Sequence, residues 1–173
     1  SQTLQDLLDD REQLVFVKKN IRGKGMKGAV GTAASYKELV AESSVSSIEL
    51  ENMVMEELGI KAYDAATQIY SRKQDLRIIE ALSSIACTLH KFSLDFRILQ
   101  SPPIGEFSEP FGKMQVGSSA MPFKRNPINS EKIDSLSRIV ENAYQSAWNN
   151  AATTVLERSL DDSANRRIFI PES

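Results

Sequence analysis

The stretch DLRIIEALSSIACTLHKFSLDFRIL, residues 75–99, repeats apolar side chains at the three-to-four-residue spacing of an α-helix. Neither proline nor glycine interrupts this pattern, which begins near Ala65. A helix from about residue 65 to residue 99 would be roughly 50 Å long, well beyond the mean length of a globular helix. A rod of this length needs packing partners along its whole extent.

Helical patterns also dominate the sequence on either side of this stretch. The N-terminal pattern continues through LVFVKKN, residues 14–20, and shorter helices are predicted within residues 35–44 and 46–59. A second long helix begins near Ser130, and LDDSANRR, residues 160–167, is typical of a capped helix start. Convincing strand patterns are almost absent. The sequence therefore predicts an all-α fold, a bundle of long, roughly antiparallel helices.

Length, charge and cysteine content limit the classes of function. A chain of 173 residues with 41% hydrophobic residues can bury one ordinary core. A formal net charge of -2 argues against nucleic-acid binding through a broad basic field. No apolar run approaches the roughly 20 residues that span a bilayer, and the N-terminus lacks a signal-peptide pattern. Cys87 is the single cysteine and no zinc-like Cys/His spacing occurs, so we expect a cytoplasmic protein without a metal.

The main non-helical connection lies between the two long helices. Residues 101–127 hold five of the six prolines and end in GSSAMPFKRNP, residues 117–127, here called the GSS loop. Two serines, a lysine, an arginine and an asparagine at fixed offsets on a proline-stiffened backbone indicate a site that holds an anion and uses hydroxyl chemistry. The alternative is a structural turn before a helix, in which hydroxyls cap and prolines rigidify.

A second glycine-rich stretch matches a nucleotide-binding pattern in letters only. GKGMKG, residues 23–28, fits the G-x-G-x-x-G fingerprint, which has physical meaning only between a strand and a helix of a βαβ unit. Because its context is helix to loop, we expect a turn that uses the conformational freedom of glycine. Lys24 and Lys27 could contact an anionic ligand, but solvated turn lysines are the favoured interpretation.

Four stretches carry a resemblance to known enzymes. The GSS loop resembles the signature of the fumarase/aspartase superfamily, whose members cleave a C–N or C–O bond beside a carboxylate and release fumarate. Within it, KGAVGTAASY (residues 27–36), TQIYSRKQD (67–75) and LERSLDDSANRRI (156–168) resemble the adenylosuccinate lyase family. The resemblance covers the chain in order. It implies a lyase of purine biosynthesis that forms AMP from adenylosuccinate and also cleaves succinyl-aminoimidazole-carboxamide ribotide, with no cofactor.

The resemblance assigns roles within and just after the GSS loop. Ser118 corresponds to the general base, and a serine can act so only where cations and backbone N–H groups favour its alkoxide. Lys124 would supply such a cation and, with Asn126, would hold the succinyl carboxylates. Ser119 either contacts a carboxylate or hydrogen-bonds the loop, and both roles stay open. Glu131 matches a glutamate that orients a catalytic histidine, the alternative being stabilisation of a helix N-terminus.

Further binding residues follow from the other stretches. Arg158, Ser163 and Arg167 correspond to positions that bind the nucleotide phosphate, for which guanidinium groups offer bidentate hydrogen bonds. The alternative for these arginines is surface ion pairs with acidic neighbours. Gln68 corresponds to a glutamine that contacts the substrate near its reacting end. Arg72, close by, is expected to be structural.

The resemblance also predicts missing parts. The family draws its general acid from a histidine in a more N-terminal segment with no match here. We expect the single histidine, His90, to be a packed or partly exposed helical residue and not a proton donor. Residues 1–173 are therefore predicted to be the central helical-bundle domain, without the N-terminal domain that carries the catalytic histidine and without the C-terminal helical domain. The chain alone should be inactive. The family forms homotetramers in which three subunits build each active site.

Three alternatives differ in class. Another fumarate-releasing lyase of the superfamily, or a carboxymuconate cycloisomerase, shares much of the GSS loop and differs in whether Arg158, Ser163 and Arg167 meet at a phosphate. A non-catalytic helical scaffold would have no need of Ser118 and Lys124. A dinucleotide-binding protein would require the strands that the sequence does not predict.

Overall fold

The computed structural model describes residues 1–112, 117, 119–121, 123–156, 158 and 160–173. Within these residues, no helix combines the length and the hydropathy needed to cross a membrane. The elements are, in chain order, α1 (Gln2–Lys19), β1 (Arg22–Gly23), α2 (Ala34–Leu39), α3 (Ser47–Glu57), β2 (Lys61–Ala62), α4 (Lys73–Gln100), α5 (Ile128–Thr153) and α6 (Asp161–Glu172). The two short strands pair in parallel, and the all-α prediction is confirmed.

The two long helices α4 and α5 form the centre of the fold. The buried apolar cluster joins the start of α4 to the end of α5 and includes α6: Leu76, Ile79, Ala143, Ala147 and Phe169. At the other end of the pair, Arg97 of α4 lies 2.6 Å from Asp134 in the second turn of α5. Because the start of one helix contacts the end of the other, α4 and α5 run antiparallel. Ala143 and Ala147 of α5 are buried in this contact, 5% and 1% exposed.

A buried carboxylate ties α1 to α4. Asp10 is 6% exposed and accepts hydrogen bonds from the hydroxyls of Ser84 at 2.5 Å and Thr88 at 2.7 Å. Since hydrogen bonds to a charged acceptor offset its desolvation, these hydroxyls make the burial of Asp10 tolerable. The contact fixes the rotation of α1, whose large apolar side chains Leu4, Leu8 and Phe16 remain exposed.

The predicted start of the long helix was wrong. Helix α4 begins at Lys73, so the segment 65–72 is irregular and the 28-residue helix is about 42 Å long. In this segment Tyr70 and Arg72 are bonded to α4 and α6 through a buried ionic network. These contacts hold residues 65–72 in an irregular path outside the helix. They are tertiary contacts, and the spacing of apolar residues in the sequence cannot predict them.

The starts of the shorter helices α3 and α6 test the capping signals in the sequence. Helix α3 begins with a reciprocal capping box, in which Ser46 and Glu49 each bond the backbone N–H of the other. Helix α6 begins where the sequence predicted, but its N-cap residue is Leu160, so no side chain at that position caps it. The predicted start of α6 was correct and its predicted cap was wrong.

Candidate functional site

The GSS loop borders a cleft at the end of α4 and the start of α5. The cleft has a volume of about 960 Å³, and Lys124, Asn126 and Glu131 all line it. Ser119 is exposed at the edge of the loop. Ser118, the predicted base, lies outside the described residues. The structure thus brings together three of the residues assigned to the reacting end of the substrate.

Hydrogen bonds from polar side chains hold the described part of this loop. The Asn126 side-chain amide donates to the Gly117 carbonyl at 3.3 Å, which joins the two ends of the GSS loop. The Gln100 side-chain amide, at the end of α4, donates to the Arg125 carbonyl at 3.3 Å. The Arg125 guanidinium also lies over the Phe111 ring, 5.5 Å from its centroid. These contacts place Lys124 and Asn126 at the cleft.

The N-terminus of α5 is capped by the carboxylate of Glu109, which the sequence patterns did not predict. Glu109 accepts hydrogen bonds from the backbone N–H of Asn129 at 3.0 Å and of Ser130 at 2.8 Å, and from the Ser130 hydroxyl at 2.8 Å. The N-cap residue of α5 is Pro127, which offers no acceptor side chain. Burial works to raise the pKa of Glu109, but these hydrogen bonds outweigh it and hold the pKa below the ordinary glutamate value. Glu109 therefore caps α5 from a distance in sequence.

This cap should make stability depend on pH in a defined direction. Because the folded-state pKa of Glu109 is lowered, its contribution is fully present above the ordinary glutamate pKa and is lost as the pH falls through the folded-state value. At neutral pH, Glu109→Gln should lower the free energy of unfolding by about 1 kcal/mol, since solvent screens the half-buried carboxylate. Urea denaturation across the acid range measures this difference. The exposed Glu106→Gln is the matched control, and a Glu109→Gln penalty that persists at acid pH would contradict the account.

A second polar cluster joins the segment before α4 to α6. Arg72 and Asp162 form a buried ion pair at 2.5 Å, with side chains 5% and 3% exposed. Arg166 pairs with Asp75 at 2.6 Å, and the Tyr70 hydroxyl bonds Asp75 at 2.8 Å and accepts from Arg166 at 2.9 Å. Burial raises the pKa of Tyr70, and its hydrogen bond to the Asp75 carboxylate adds to the effect. The structural role expected of Arg72 is the one it has.

The predicted phosphate-binding residues lie on and just before α6. Arg167 donates to the side-chain hydroxyl and to the backbone carbonyl of Ser163, both at 2.7 Å. Arg158 lies outside the helix and is half-buried, and Gln68 is exposed in the segment that the ionic network fixes. Asp162, one of the acidic neighbours considered for the arginines, is committed to Arg72. The structure brings Ser163 and Arg167 together.

The two groups of predicted site residues lie at opposite ends of α4. The cleft with Lys124 and Glu131 is at the C-terminal end of α4, where Gln100 lines it, whereas Arg72 and the α6 network are at the N-terminal end. Along a helix of 28 residues this separation is about 40 Å. One chain therefore does not bring all of the predicted site residues to one place.

Comparisons with known proteins identify the family. A family model described as lyase matches residues 1–141. The chain belongs to the lyase family. This membership agrees with the resemblance carried by the GSS loop, which lies inside the matched range.

Curated relatives of this lyase-family chain are named adenylosuccinate lyase. The Schistosoma mansoni relative is 44% identical over 172 residues, which cover 98% of this chain and 35% of the relative. The Saccharomyces cerevisiae relative is 40% identical over 171 residues, again 98% of this chain and 35% of the relative. The resemblance to adenylosuccinate lyases is confirmed. The chain spans about a third of the length of these relatives.

Solved structures show the same fold. A 3-carboxy-cis,cis-muconate lactonizing enzyme from Pseudomonas putida aligns with a TM-score of 0.80 at 23% identity, over 99% of this chain and 36% of that chain. A class II fumarase from Schistosoma mansoni aligns with a TM-score of 0.73 at 18% identity, over 99% of this chain and 39% of that chain. At these identities the likeness shows the helical fold of the lyase family and nothing finer.

In this lyase-family chain the glycine-rich loop, residues 23–28, binds the carboxylate of Glu51 from helix α3. Glu51 accepts from the Met26 backbone N–H at 2.7 Å and forms an ion pair with Lys27, while the Lys24 ammonium donates to the Gly28 carbonyl at 2.6 Å. The expectation of solvated turn lysines was wrong, because both cations have partners within the fold. A carboxylate at the loop opposes phosphate binding. The loop does follow strand β1, which pairs in parallel with β2, but each strand has only two residues and the next helix, α2, does not begin until Ala34.

The stretch KGAVGTAASY touches TQIYSRKQD at a glycine. Gly31 has a φ of +83°, and a Cβ there would collide with the Ala66 carbonyl oxygen and approach the Thr67 backbone. Glycine is needed both for the left-handed backbone and for this contact. Two of the four stretches that carry the family resemblance thus meet directly.

Gly31→Ala should lower the free energy of unfolding by about 3 kcal/mol, from the left-handed strain and the steric collision together. Thermal denaturation followed by circular dichroism measures the loss. Gly59→Ala is the matched control, since Gly59 has a φ of +66° with no atom within 4 Å of an added Cβ. It should cost only about 1 kcal/mol, from strain alone. Equal losses in the two variants would show that the contact with Ala66 contributes nothing.

His90 is a partly exposed residue of α4, one of the two outcomes that the sequence predicted, with its side chain 37% exposed. Its Nε2 lies 3.9 Å from the buried Asp134 carboxylate, which Arg97 also contacts. In the part of the chain that the structure describes, no three His, Cys, Asp or Glu side chains are grouped so as to hold a metal ion.

Proposed function

We propose that this lyase-family chain supplies part of a cytoplasmic enzyme that eliminates fumarate from adenylosuccinate to give AMP, and from succinyl-aminoimidazole-carboxamide ribotide, in purine biosynthesis. The observation that carries the proposal is the cleft in which Lys124, Asn126 and Glu131 converge beside the GSS loop. A structural turn would not require a lysine, an amide and a carboxylate to face one cleft. The identity to adenylosuccinate lyases supports the choice of substrate.

The elimination makes separate demands on these residues. Ser118 takes the proton from the carbon beside a succinyl carboxylate, and the electron pair left on carbon is delocalised into that carboxylate. The Lys124 ammonium and the Asn126 amide stabilise the added negative charge, which is the largest electrostatic demand of the reaction. The electron pair held on the carboxylate then returns to form the C=C bond as the C–N pair leaves with the nitrogen, which takes a proton from a general acid that Glu131 helps to orient. Fumarate and the amino product result.

Recognition of the nucleotide phosphate is assigned to Arg158, Ser163 and Arg167. Ser163 and Arg167 lie together on one turn of α6, where the hydroxyl and the guanidinium can both donate hydrogen bonds to the oxygens of one phosphate group. The ionic network beneath them fixes α6 against the start of α4, so these donors are held before the ligand binds.

We further propose that the active site is assembled from several chains of a homotetramer. The support is the separation of about 40 Å along α4 between the cleft and the α6 residues, which is far longer than one substrate. The exposed apolar side chains of α1 add to it, since Leu4, Leu8 and Phe16 gain stability by burial against another chain. A strictly monomeric species in sedimentation would argue against this assembly.

The activity is testable in a chimera. Residues 1–173 replace the matched third of the Saccharomyces cerevisiae adenylosuccinate lyase, and this protein is here called the yeast chimera. Offered adenylosuccinate, argininosuccinate and malate side by side, it should release fumarate from adenylosuccinate alone. Release from either other substrate would contradict the proposed specificity. No release from a folded tetrameric chimera would contradict the proposed function.

A further inference from the structure

Gln100 contacts both arms of the connection between α4 and α5. It is the last residue of α4, and its side-chain oxygen accepts from the Glu109 backbone N–H at 2.8 Å. Its side-chain nitrogen donates to the Arg125 carbonyl at 3.3 Å. The Gln100 side-chain amide thus joins the arm that leaves α4, at Glu109, to the arm that returns to α5, at Arg125. These two residues are 16 positions apart in the sequence.

Glu109 completes the connection on the other side. Its backbone is held by Gln100, and its carboxylate binds the first turn of α5 through Asn129 and Ser130. The hydrogen bonds therefore run from the end of α4 through Glu109 to the start of α5. Of the residues that line the cleft, Asn126 lies between the two fixed points at Arg125 and Asn129, and Lys124 directly precedes the first of them.

Neither side chain belongs to the apolar core that packs the two long helices together. Helices α4 and α5 are packed through Leu76, Ile79, Ala143 and Ala147 at the opposite end of the pair, far from Gln100. Gln100 and Glu109 contact only the connection between α4 and α5 and the first turn of α5, so they do not contribute to that core. Their contacts all converge on the segment that carries the cleft residues.

We propose that Gln100 and Glu109 form a clasp that positions Lys124 and Asn126 for catalysis. The two side chains are positioning residues, because they act through the returning arm and not on the substrate. The catalytic consequence rests on the function proposed above, whereas the ordering of the segment does not. Opening the clasp should loosen residues 123–131 more than the rest of the bundle.

Amide hydrogen exchange on the 173-residue chain tests the clasp without any assumption about activity. Glu109→Ala and Gln100→Ala should each speed exchange in residues 123–131 by about 10-fold, the value of one or two lost charge-assisted or amide hydrogen bonds. Exchange in residues 79–93 and 137–147 should rise less, by no more than the loss in the global free energy of unfolding that urea denaturation of the same variant measures. The matched control Glu106→Ala should leave residues 123–131 protected. Unchanged exchange in residues 123–131, or a uniform rise along the chain, would overturn the proposal.

Kinetics of the yeast chimera separate a positioning role from a merely structural one. Glu109→Ala should lower kcat/KM for adenylosuccinate by about 10-fold to 100-fold, since misplaced carboxylate-binding groups lose transition-state contacts. The affinity for AMP should not change, because its phosphate is assigned to α6. Glu109→Gln, which keeps one acceptor for Ser130, should recover part of the rate. Equal losses in AMP affinity and kcat/KM, or no loss at all, would overturn the clasp.

The two proposals fail in different ways. If the unsubstituted chimera releases no fumarate while Glu109→Ala still loosens residues 123–131, the proposed function is wrong and the clasp stands as an ordering device. If the chimera is active and the exchange pattern does not change, the function stands and the clasp is wrong.

Discussion

Ser118→Ala should reduce fumarate release by the yeast chimera about 1,000-fold, the range expected for loss of a positioned general base. The reason is chemical, because alanine has no oxygen to accept the proton beside the carboxylate. Ser118 lies outside the described residues, so the expectation rests on the sequence resemblance and on the neighbouring cleft with Lys124 and Asn126. Steady-state assays with adenylosuccinate measure the loss, which should fall on kcat more than on KM.

Ser119→Ala is the matched control for this prediction. Ser119 is an exposed residue of the GSS loop and carries the same side chain as Ser118, one residue away. If it contacts a substrate carboxylate, its loss should mainly raise KM, and if it only supports the loop, the effect should be small. A Ser118→Ala chimera that keeps nearly full activity, or a larger loss in Ser119→Ala, would assign the proton transfer to another group.

Asp162→Ala should lower the free energy of unfolding by about 3–5 kcal/mol, the cost of leaving a buried charge without its partner. Asp162 is 2% exposed and Arg72 is 6% exposed, so the guanidinium cannot regain water when the carboxylate is removed. Arg166, 3.9 Å from Asp162, loses a second interaction. Chemical denaturation measures the loss, and a severely destabilised variant would show it as a reduced midpoint.

A surface pair provides the control for Asp162→Ala. Asp95 pairs with Lys91 at 2.8 Å, but the two side chains are 51% and 46% exposed. Asp95→Ala should therefore cost far less than Asp162→Ala, because solvent already screens the pair. Similar losses in the two variants would show that the Arg72–Asp162 contact does not stabilise the fold through burial.

The long helices could be predicted from the sequence because their signal is local and repeats many times. Apolar spacing identified α4 and α5 and, through them, the all-α class. The same spacing placed the start of α4 eight residues too early, since the contacts that end the helical path are made by Tyr70 and Arg72 with residues about 90 positions away. Periodicity does not register such tertiary contacts.

The residues of the candidate site were likewise predicted only where the sequence signal is local. A contiguous motif indicated Lys124, Asn126 and Glu131, which the structure places at one cleft. Gln100 and Glu109 lie outside that motif, and their roles arise only when the end of α4 meets the start of α5. The only sequence signal for Glu109 was the absence of a capping side chain before α5, where Pro127 stands. The expectation for Lys27 was wrong because its partner, Glu51, is on helix α3, 24 residues away in the sequence.

We propose that the GSS loop of one chain and the α6 residues of another together form one fumarate-releasing site. Tetramers mixed from two variant subunits, Ser118→Ala in one yeast chimera and Arg167→Gln in another, test this arrangement. Each variant alone should be nearly inactive, and mixed tetramers should regain fumarate release from adenylosuccinate, because some sites then contain both intact residues. Mixed tetramers that form and stay as inactive as either parent would contradict the claim.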